Sequence, residues 1–314
     1  MLRLSALGDV AILEPVVRQR AAQCPDAEFL LAAPPMLQPL FEGIPNLTYI
    51  PTKKASSWQL FKQLRKYRPS AVADMHGVWR SWGVRALFLL SGVGGCGIRK
   101  ERSKRKKLLR ETDKDLTPLT PSWRRYDRVL QRVIPELRRQ PELSPSSRPA
   151  VSPSMIGVAP FAQHKGKIYP QEKMERVVEL LSQRGAQVLL FGGKGERSIL
   201  EAWSQKYPNV ESVAGRYSFE EELERISQLD VMLSMDSANM HFASCKGVRV
   251  VSVWGATHPA AGFYGYGQNL DDAVQLDLPC RPCSMFGKKP CRYGDYRCLN
   301  GISPERIVER VLEP

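Results

Sequence analysis

The sequence lacks any apolar segment long enough to cross a membrane, which takes about 18–20 residues. The longest candidate, Val84 to Val93, is too short and has Arg85 within it and Arg99 nearby. A signal peptide is also missing, because Asp9 and Glu14 interrupt the only apolar stretch at the N-terminus. Internal repeats and low-complexity tracts are absent as well. These absences predict a folded, intracellular protein.

Two common nucleotide-binding signatures are missing or out of context. The phosphate-loop pattern G-x-x-x-x-G-K-[ST] does not occur. Residues Gly92 to Gly97 match the spacing G-x-G-x-x-G, but a run of charges follows them where a dinucleotide site needs an apolar helix. The sequence therefore argues against a P-loop kinase and a dinucleotide-dependent oxidoreductase.

The seven cysteines are an odd number, which argues against a disulfide framework. Four of them form the pattern C-x₂-C-x₇-C-x₆-C near the end of the chain: Cys280, Cys283, Cys291 and Cys298. Four thiolates could hold a structural zinc ion tetrahedrally. Buried, reduced thiols would give the same pattern, so both interpretations stay open.

The net charge of +14 is distributed unevenly along the sequence. Residues 1–150 contain 27 Lys and Arg against 13 Asp and Glu, whereas residues 151–314 contain 19 of each. Much of the excess lies in Arg99–Arg110, RKERSKRKKLLR. Such a surface attracts nucleic acid, an anionic membrane or a phosphorylated substrate, although a solvated charged loop is the simpler interpretation of the run alone.

Strand-like apolar runs alternate with helical patterns throughout, which predicts a parallel α/β fold. The predicted strands are 1–4, 29–33, 71–75, 155–159, 188–191, 231–235 and 248–254. The predicted helices are 10–23, 172–183, 219–228, 237–245 and 303–312. The Pro- and Ser-rich segment Ser144–Pro153 is typical of a linker and predicts two domains, residues 1–150 and 151–314.

Ligands of such sheets bind beyond the carboxyl ends of the strands, so the strand-to-helix turns are the candidate sites. The first such turn is Ser5–Asp9, in which Gly8 permits a tight bend. Asp9 then starts a helix, where its carboxylate could act as a general base or simply as an N-cap.

Three turns of the second half are suited to an anionic ligand. Lys165 and Lys167 precede a helix, although a solvent-exposed basic loop would look the same. Asp236–His241 begins the next helix, where unpaired N–H groups and the Ser237 hydroxyl could hold a diphosphate without metal. Asp236 could cap that helix and His241 could stabilise the turn. The segment Trp254–Pro259, which contains Thr257, could complete the same pocket.

A fourth turn of the second half, Gly192–Glu196, follows the predicted strand 188–191. Its Glu196 could bind a ribose hydroxyl or an adenine edge. The alternative is a carboxylate that merely stabilises the start of a helix.

Taken in chain order, these motifs resemble the ADP-heptose:lipopolysaccharide heptosyltransferases, family 9 of the glycosyltransferases. The resemblance covers nearly the whole chain and rests on six segments: SALGDV at Ser5–Val10, Ala73–Ser81, Lys167–Pro170, Gly192–Glu196, Asp236–His241 and Trp254–Pro259. It implies the GT-B architecture, in which two Rossmann-like domains face each other across a cleft. The acceptor binds the first domain, the donor binds the second, and transfer inverts the anomeric carbon.

The resemblance also assigns roles to residues. Asp9 is the implied general base, and Lys167 the group that stabilises the departing diphosphate. The implied donor contacts are Lys165, Glu196, Asp236, Ser237, Ala238, His241 and Thr257. Ala238 stands where the family usually has glycine. The implied acceptor contacts are Ser5, Gly8, His76, Arg80 and Ser81, together with the basic run.

The implied partners are a nucleotide-diphosphate sugar, a phosphorylated lipid-linked saccharide and the cytoplasmic face of the inner membrane, where the protein would be peripheral. No catalytic cofactor is implied. Nucleic acid is not expected, because the basic run lacks interleaved aromatics. Two alternatives remain: an inactive module that binds polyanions or membranes, and a nucleotide-sugar epimerase, which would need no acceptor.

Overall fold

The computed structural model describes residues 1–141, 143 and 153–313. The chain forms two compact units. Unit 1 comprises residues 1–101 and 120–144, and unit 2 comprises residues 102–119 and 145–314. The predicted division at residue 150 therefore differs from the observed one, because residues 102–119 belong to unit 2. The predicted linker Ser144–Pro153 lies outside the described residues except for Pro153.

The bounds of the regular elements are as follows. The helices are α1 Leu7–Gln23, α2 Ser57–Arg65, α3 Trp79–Leu90, α4 Arg102–Leu108, α5 Ser122–Val133, α6 Gln171–Gln183, α7 Arg197–Lys206, α8 Phe219–Ser227, α9 Ala238–Cys245, α10 Arg297–Asn300 and α11 Pro304–Leu312. The strands are β1 Phe29–Ala33, β2 Leu47–Pro51, β3 Val72–Asp74, β4 Gly95–Gly97, β5 Met155–Ala159, β6 Gln187–Leu190, β7 Val210–Ser212, β8 Val231–Met235, β9 Arg249–Val253 and β10 Ala273–Val274.

Unit 1 contains a small parallel sheet. Strand β1 pairs with β2, and β3 pairs with β4. The predicted first strand, residues 1–4, contributes only Leu2, which makes parallel bridges to Ala32 of β1 and Asp74 of β3. Buried aliphatic and aromatic side chains of the sheet, α2 and α3 form the core beneath it.

Close backbone approach in unit 1 depends on Gly95 of β4. A Cβ atom at this position would lie 2.2 Å from the carbonyl oxygen of Val72, so only glycine fits. Gly95 thus serves strand pairing, in agreement with the interpretation that this segment is not a dinucleotide loop.

Unit 2 contains a six-stranded parallel sheet in the order β10-β9-β8-β5-β6-β7. Strands β5 and β8 have the predicted bounds, and β6 and β9 differ from them by one residue at each end. Helix α11 packs on α6 and adds Ile307, Val308 and Val311 to the core of this unit. Ser303 caps α11, and Pro304 is its first residue. Parallel sheets flanked by helices confirm the predicted α/β class.

Residues 102–119 are attached to unit 2 by packing and by hydrogen bonds. Leu108 and Leu119 are buried with Ala260 and Ala261, and the Leu119 N–H donates to the Ala260 carbonyl at 2.8 Å. The Arg105 guanidinium lies 5.6 Å from the ring centroid of Phe263. The excess of basic residues is consequently shared, +9 for unit 1 and +5 for unit 2. None of the described helices is both long and apolar enough to span a bilayer.

Candidate active site

Asp9 lies in the first turn of α1, which begins three residues earlier than predicted. The N-cap position belongs to Ala6, so Asp9 does not cap this helix. Its carboxylate forms an ion pair with Arg3 and accepts a hydrogen bond from the Tyr126 hydroxyl, with 3.4 Å between Oη and Oδ1. Burial raises the pKa of Tyr126, which therefore remains a donor. The Asp9 side chain is 26% exposed and stays accessible to a second molecule.

Arg3 is almost completely buried and is fixed at both ends of its guanidinium. One nitrogen contacts Asp9, and Nη1 donates to the Met75 carbonyl at 2.7 Å. The carboxylate of Asp9 is therefore held by two groups that belong to the core of unit 1. Such fixation is what a base needs if it is to meet an acceptor hydroxyl at hydrogen-bond distance.

Ser5 and His76 lie together in unit 1, with 3.3 Å between Oγ and Nε2. The N–H groups of His76 and Gly77 both donate to Asp74 Oδ1 at 2.9 Å, which fixes the turn after β3. Burial, and then the charges of Arg3 and Lys100, lower the pKa of His76 to about 4. This imidazole is consequently neutral at physiological pH and offers hydrogen bonds without charge.

Arg80 and Ser81 lie in the first turn of α3. The Ser81 hydroxyl is fully buried, accepts from the Val78 N–H at 3.1 Å and donates to the Val78 carbonyl at 3.0 Å. These contacts fix the Ser81 side chain against Val78, the N-cap residue of α3, and its role as an acceptor contact stays a prediction. Arg80 is half-buried, and its side chain remains a candidate.

Lys167, Asp236 and Thr257 come together in unit 2. Lys167 Nζ lies 2.8 Å from Asp236 Oδ2 and donates to the Asp236 carbonyl at 3.0 Å. The Thr257 hydroxyl donates to the same Oδ2 at 2.7 Å. Three residues from three separate turns therefore form one polar cluster, in which an ammonium group is held at a defined position.

The turn containing Lys167 is packed directly onto the turn containing Thr257. The Ala256 N–H donates to the Gly166 carbonyl at 2.8 Å. A Cβ atom on Gly166 would lie 2.9 Å from the Ala256 Cβ, so the short 3₁₀ segment Lys165–Lys167 needs glycine at its centre to approach this closely.

The other predicted donor residues lie around α9 and α7 with partners of their own. Ser237 is at the N-cap position of α9, and its hydroxyl lies 3.2 Å from that of Ser234. Ala238 is the first residue of α9, and His241 is buried within the helix. Glu196 precedes α7 and accepts a hydrogen bond from the Gly193 N–H. This is the local helix-start geometry that the sequence left as the alternative for Glu196.

Lys165 lies apart from the Lys167 cluster. Its Nζ is 5.2 Å from the ring centroid of Tyr296. Both residues line a cavity of about 430 Å³ whose other walls include Tyr169, Pro170, Asp295 and Asn300. Lys165 is the only predicted donor residue among those that line this cavity.

Arg281 is a residue of the site that the sequence did not reveal. It is buried, and its guanidinium donates to the carbonyls of Gly255 at 2.5 Å and Thr257 at 2.9 Å. It therefore fixes the turn that presents Thr257 to Asp236. Position 281 lies between Cys280 and Cys283, where the sequence pattern indicates a metal site and not a residue that fixes a distant turn.

His258 follows Thr257 and is held by its own turn. Its Nδ1 accepts a hydrogen bond from the Ala260 N–H at 3.0 Å. Burial, and then the charge of Arg281, lower the pKa of His258 to about 4. The imidazole must be neutral to accept this bond, because both ring nitrogens carry protons in the charged form.

The four cysteines of the C-terminal cluster are free thiols. In the part of the chain that the structure describes, no three His, Cys, Asp or Glu side chains converge in a way that could hold a metal ion. The predicted zinc site at Cys280, Cys283, Cys291 and Cys298 is therefore not supported. Burial raises the pKa of the Cys298 thiol to about 11, which keeps it protonated at neutral pH.

Comparison with known proteins identifies heptosyltransferases among the similar sequences and structures. The protein-family model for glycosyltransferase family 9 (heptosyltransferase) matches residues 122–296, more than half of the chain. Lipopolysaccharide core heptosyltransferase OpsX of Haemophilus influenzae is 24% identical over 303 residues, which span 88% of this chain and 83% of that protein. Lipooligosaccharide heptosyltransferase 2 of Campylobacter jejuni is 25% identical over 130 residues, and the match spans only 40% of each protein.

Among solved structures, the ADP-heptose LPS heptosyltransferase II of E. coli is similar with a TM-score of 0.69 at 20% sequence identity. The similarity covers 98% of this chain and 96% of that one. Because it extends over nearly the full length of both chains, it confirms the predicted GT-B fold.

Proposed function

The chain belongs to glycosyltransferase family 9, the heptosyltransferases, and we propose that it transfers a heptose from ADP-heptose to the inner core of lipopolysaccharide with inversion of the anomeric carbon. The donor binds unit 2 and the acceptor binds unit 1. The observation that carries this proposal is the cluster of Lys167, Asp236 and Thr257. The names of the related proteins support the choice of donor sugar and acceptor.

In the proposed reaction, Asp9 accepts the proton of the acceptor hydroxyl as its oxygen attacks the anomeric carbon. The bond between that carbon and the diphosphate oxygen breaks, and the nucleotide diphosphate leaves with the bonding electron pair. Arg3 and Tyr126 hold the Asp9 carboxylate in place. His76, with Ser5, supplies uncharged hydrogen-bonding groups next to the bound acceptor, and Gly8 and Arg80 complete this acceptor site.

Lys167 stabilises the negative charge that develops on the leaving diphosphate. Its ammonium group is preorganised, because Asp236 fixes it through both a carboxylate oxygen and the main-chain carbonyl. We assign Asp236 this positioning role rather than direct contact with phosphate, since two anions would repel each other. Ser237, Ala238 and His241 seat the diphosphate at the start of α9. Glu196 and Lys165 remain proposed contacts to the nucleoside half of the donor.

No metal or organic cofactor is required in this scheme, since the ammonium group of Lys167 takes the part that a divalent cation plays in other transferases. The phosphorylated, lipid-linked acceptor implies that the protein works in the cytoplasm at the periphery of the inner membrane. Both statements are parts of the proposal.

The test is ADP release from ADP-heptose with and without a Kdo–lipid A acceptor. Wild-type protein should release ADP only when the acceptor is present, and Asp9→Ala should abolish this release. Asp26→Ala removes an exposed carboxylate from the same unit and is the matched control. Nucleotide binding without turnover would mean another sugar or acceptor. Absence of nucleotide binding would favour the inactive module, and epimerised sugar without acceptor would favour the epimerase.

A further inference from the structure

Helix α3 of unit 1 is apolar on two opposite faces. One face is buried in the core through Ser81, Val84 and Phe88. The opposite face carries four large apolar side chains with exposed fractions of 85% for Trp79, 38% for Trp82, 66% for Leu89 and 86% for Leu90. An apolar outer face of a helix is normally covered by a partner. Within the described residues, the outer face of α3 is left exposed.

The neighbouring helix α2 adds one more exposed aromatic side chain beside α3, because the Ser57 hydroxyl at its start donates to the Arg80 carbonyl at 2.9 Å. Trp58 of α2 is half-exposed and stacks on Phe61, with 5.6 Å between ring centroids. Phe61 in turn contacts Phe88 of α3 at 4.9 Å. We call Trp58, Trp79, Trp82, Leu89 and Leu90 the α2–α3 face. Contiguous exposed apolar side chains of this size mark sites of interaction with another surface.

The charge around the α2–α3 face is of one sign. Residues 43–100 contain ten Lys and Arg and one carboxylate, Asp74, which is fully buried. Six of the basic side chains lie on or beside α2 and are exposed: Lys53, Lys54, Lys62, Arg65, Lys66 and Arg68. The Lys62 ammonium lies 5.2 Å from the Trp58 ring centroid, so cationic and apolar groups are intermixed.

We propose that the α2–α3 face docks onto the surface of an anionic lipid bilayer. Trp79, Leu89 and Leu90 enter the interface, where tryptophan is favoured, and the basic side chains lie against the headgroups. With twelve residues, α3 is about 18 Å long, which suits a helix lying in the membrane plane but not one that crosses it. A second copy of the chain is a poor occupant, since it would bring two such basic surfaces together.

This inference rests on the proposed membrane-borne acceptor, but docking itself requires no catalysis. The first test is co-sedimentation of wild-type protein with vesicles of phosphatidylglycerol and phosphatidylcholine, and with vesicles of phosphatidylcholine alone. Binding to the anionic vesicles and much weaker binding to the neutral ones is expected. Failure to bind the anionic vesicles, or equal binding to both, overturns the proposal.

The apolar contribution is tested with the double variant Trp79→Ser/Leu90→Ser. Both side chains are more than four-fifths exposed, so the fold should be preserved. Vesicle binding should fall by about tenfold or more, because two large side chains no longer leave water. The control Leu270→Ser/Tyr293→Ser removes two exposed apolar side chains from unit 2 and should bind like wild type. Equal losses in both variants would contradict the assignment to this face.

The charge contribution is tested by removing three lysine charges at the α2–α3 face and, in a second variant, three lysine charges in α4. Lys53→Gln/Lys54→Gln/Lys66→Gln should weaken binding to anionic vesicles by about 100-fold, at roughly fivefold per cation next to the membrane. Lys104→Gln/Lys106→Gln/Lys107→Gln removes equal charge from α4 in unit 2 and should have a much smaller effect. An equal effect would mean that net charge, and not this face, governs binding.

Two further measurements separate this proposal from others. Sedimentation velocity without lipid should show that the wild-type protein does not self-associate through this face. A dimer that Trp79→Ser/Leu90→Ser abolishes would overturn the proposal in favour of a second copy of the chain. ADP release with a water-soluble, deacylated acceptor should not depend on Trp79→Ser/Leu90→Ser. Loss of vesicle binding with normal release of ADP therefore isolates the docking face, whereas docking without any turnover would contradict only the proposed transferase.

Discussion

Arg3 and Asp9 form an ion pair in which the guanidinium is buried and the carboxylate remains partly exposed. They lie six positions apart, on either side of the start of α1. The pair joins a partly exposed carboxylate to the core of unit 1.

Tyr126 also contacts the Asp9 carboxylate, and removal of its hydroxyl should affect turnover but not nucleotide binding. Tyr126→Phe keeps the buried ring and deletes only the hydrogen bond to Asp9. We expect kcat to fall about 3–10-fold, which corresponds to one ordinary hydrogen bond that orients the base. Tyr49→Phe, which removes a hydroxyl that donates to the Pro34 carbonyl elsewhere in unit 1, is the control. Equal loss in both variants would contradict a specific role for Tyr126.

Lys167 should contribute to the chemical step. Lys167→Gln keeps a hydrogen-bonding group of similar length next to Asp236 but removes the charge. We expect kcat to fall about 10²–10³-fold, the effect of removing one preorganised stabilising group from the transition state. Lys246→Gln, an exposed lysine of the same unit, should leave the steady-state parameters unchanged. A change in KM alone would show that Lys167 serves binding and not departure of the diphosphate.

Stability should decrease when the pH falls below about 6.5. Burial holds the pKa of His76 and His258 at about 4 in the folded protein, below the ordinary value of 6.5. Between these values the unfolded chain takes up protons that the folded protein does not, so the stability present above pH 6.5 is lost towards pH 4. His258→Asn should reduce this loss, because it removes one titrating group and keeps an acceptor near the Ala260 N–H. Differential scanning calorimetry at about pH 7 and about pH 5 measures both proteins, and the same drop in Tm in both would refute the assignment.

Among the charged residues of unit 1, single substitution of Arg20 or Asp127 should lower the free energy of unfolding the most. They form a fully buried, two-pronged pair between α1 and α5, with N–O distances of 2.6 and 2.7 Å. Arg20→Met should lower the free energy of unfolding by about 3–5 kcal/mol, since it leaves an uncompensated buried carboxylate. Adding Asp127→Leu should restore much of the loss.

The control for this pair is Arg197→Met, which breaks an exposed ion pair with Glu201 within α7. It should cost only about 0.3–0.5 kcal/mol. Urea unfolding compares the variants. A double variant as unstable as the single Arg20→Met would show that the loss comes from packing and not from the unpaired charge.

The sequence predicts those elements well whose apolar pattern and flanking turn residues lie within one short segment. Strands β5 and β8 are short apolar runs bounded by turn residues, and their predicted bounds are those observed. The first predicted strand was wrong in length, because only Leu2 finds partners on both sides. Helix α3 was not predicted, since Trp79, Leu89 and Leu90 occupy its outer face and remove the polar stripe that marks a surface helix.

The sequence predicts individual residues of the candidate site, but not which residues contact one another. Asp9, Lys167, Asp236 and Thr257 were identified from turns that follow strands. Their partners were not, because Tyr126 lies 117 positions from Asp9 and no local spacing relates the two. The position of the basic run in the sequence predicts that it belongs to the first half, whereas Leu108 and Leu119 attach it to unit 2 through contacts with Ala260 and Ala261.

The attachment of residues 102–119 to unit 2 has a consequence for how these proteins can be recombined. The chain passes from one unit to the other three times, so the segment that completes unit 2 is encoded in the middle of unit 1. A chimera joined once near residue 145 would take α4 from one relative and the residues at 260 and 261, against which α4 packs, from the other. A faithful exchange of unit 2 between two relatives must transplant two separate gene segments together.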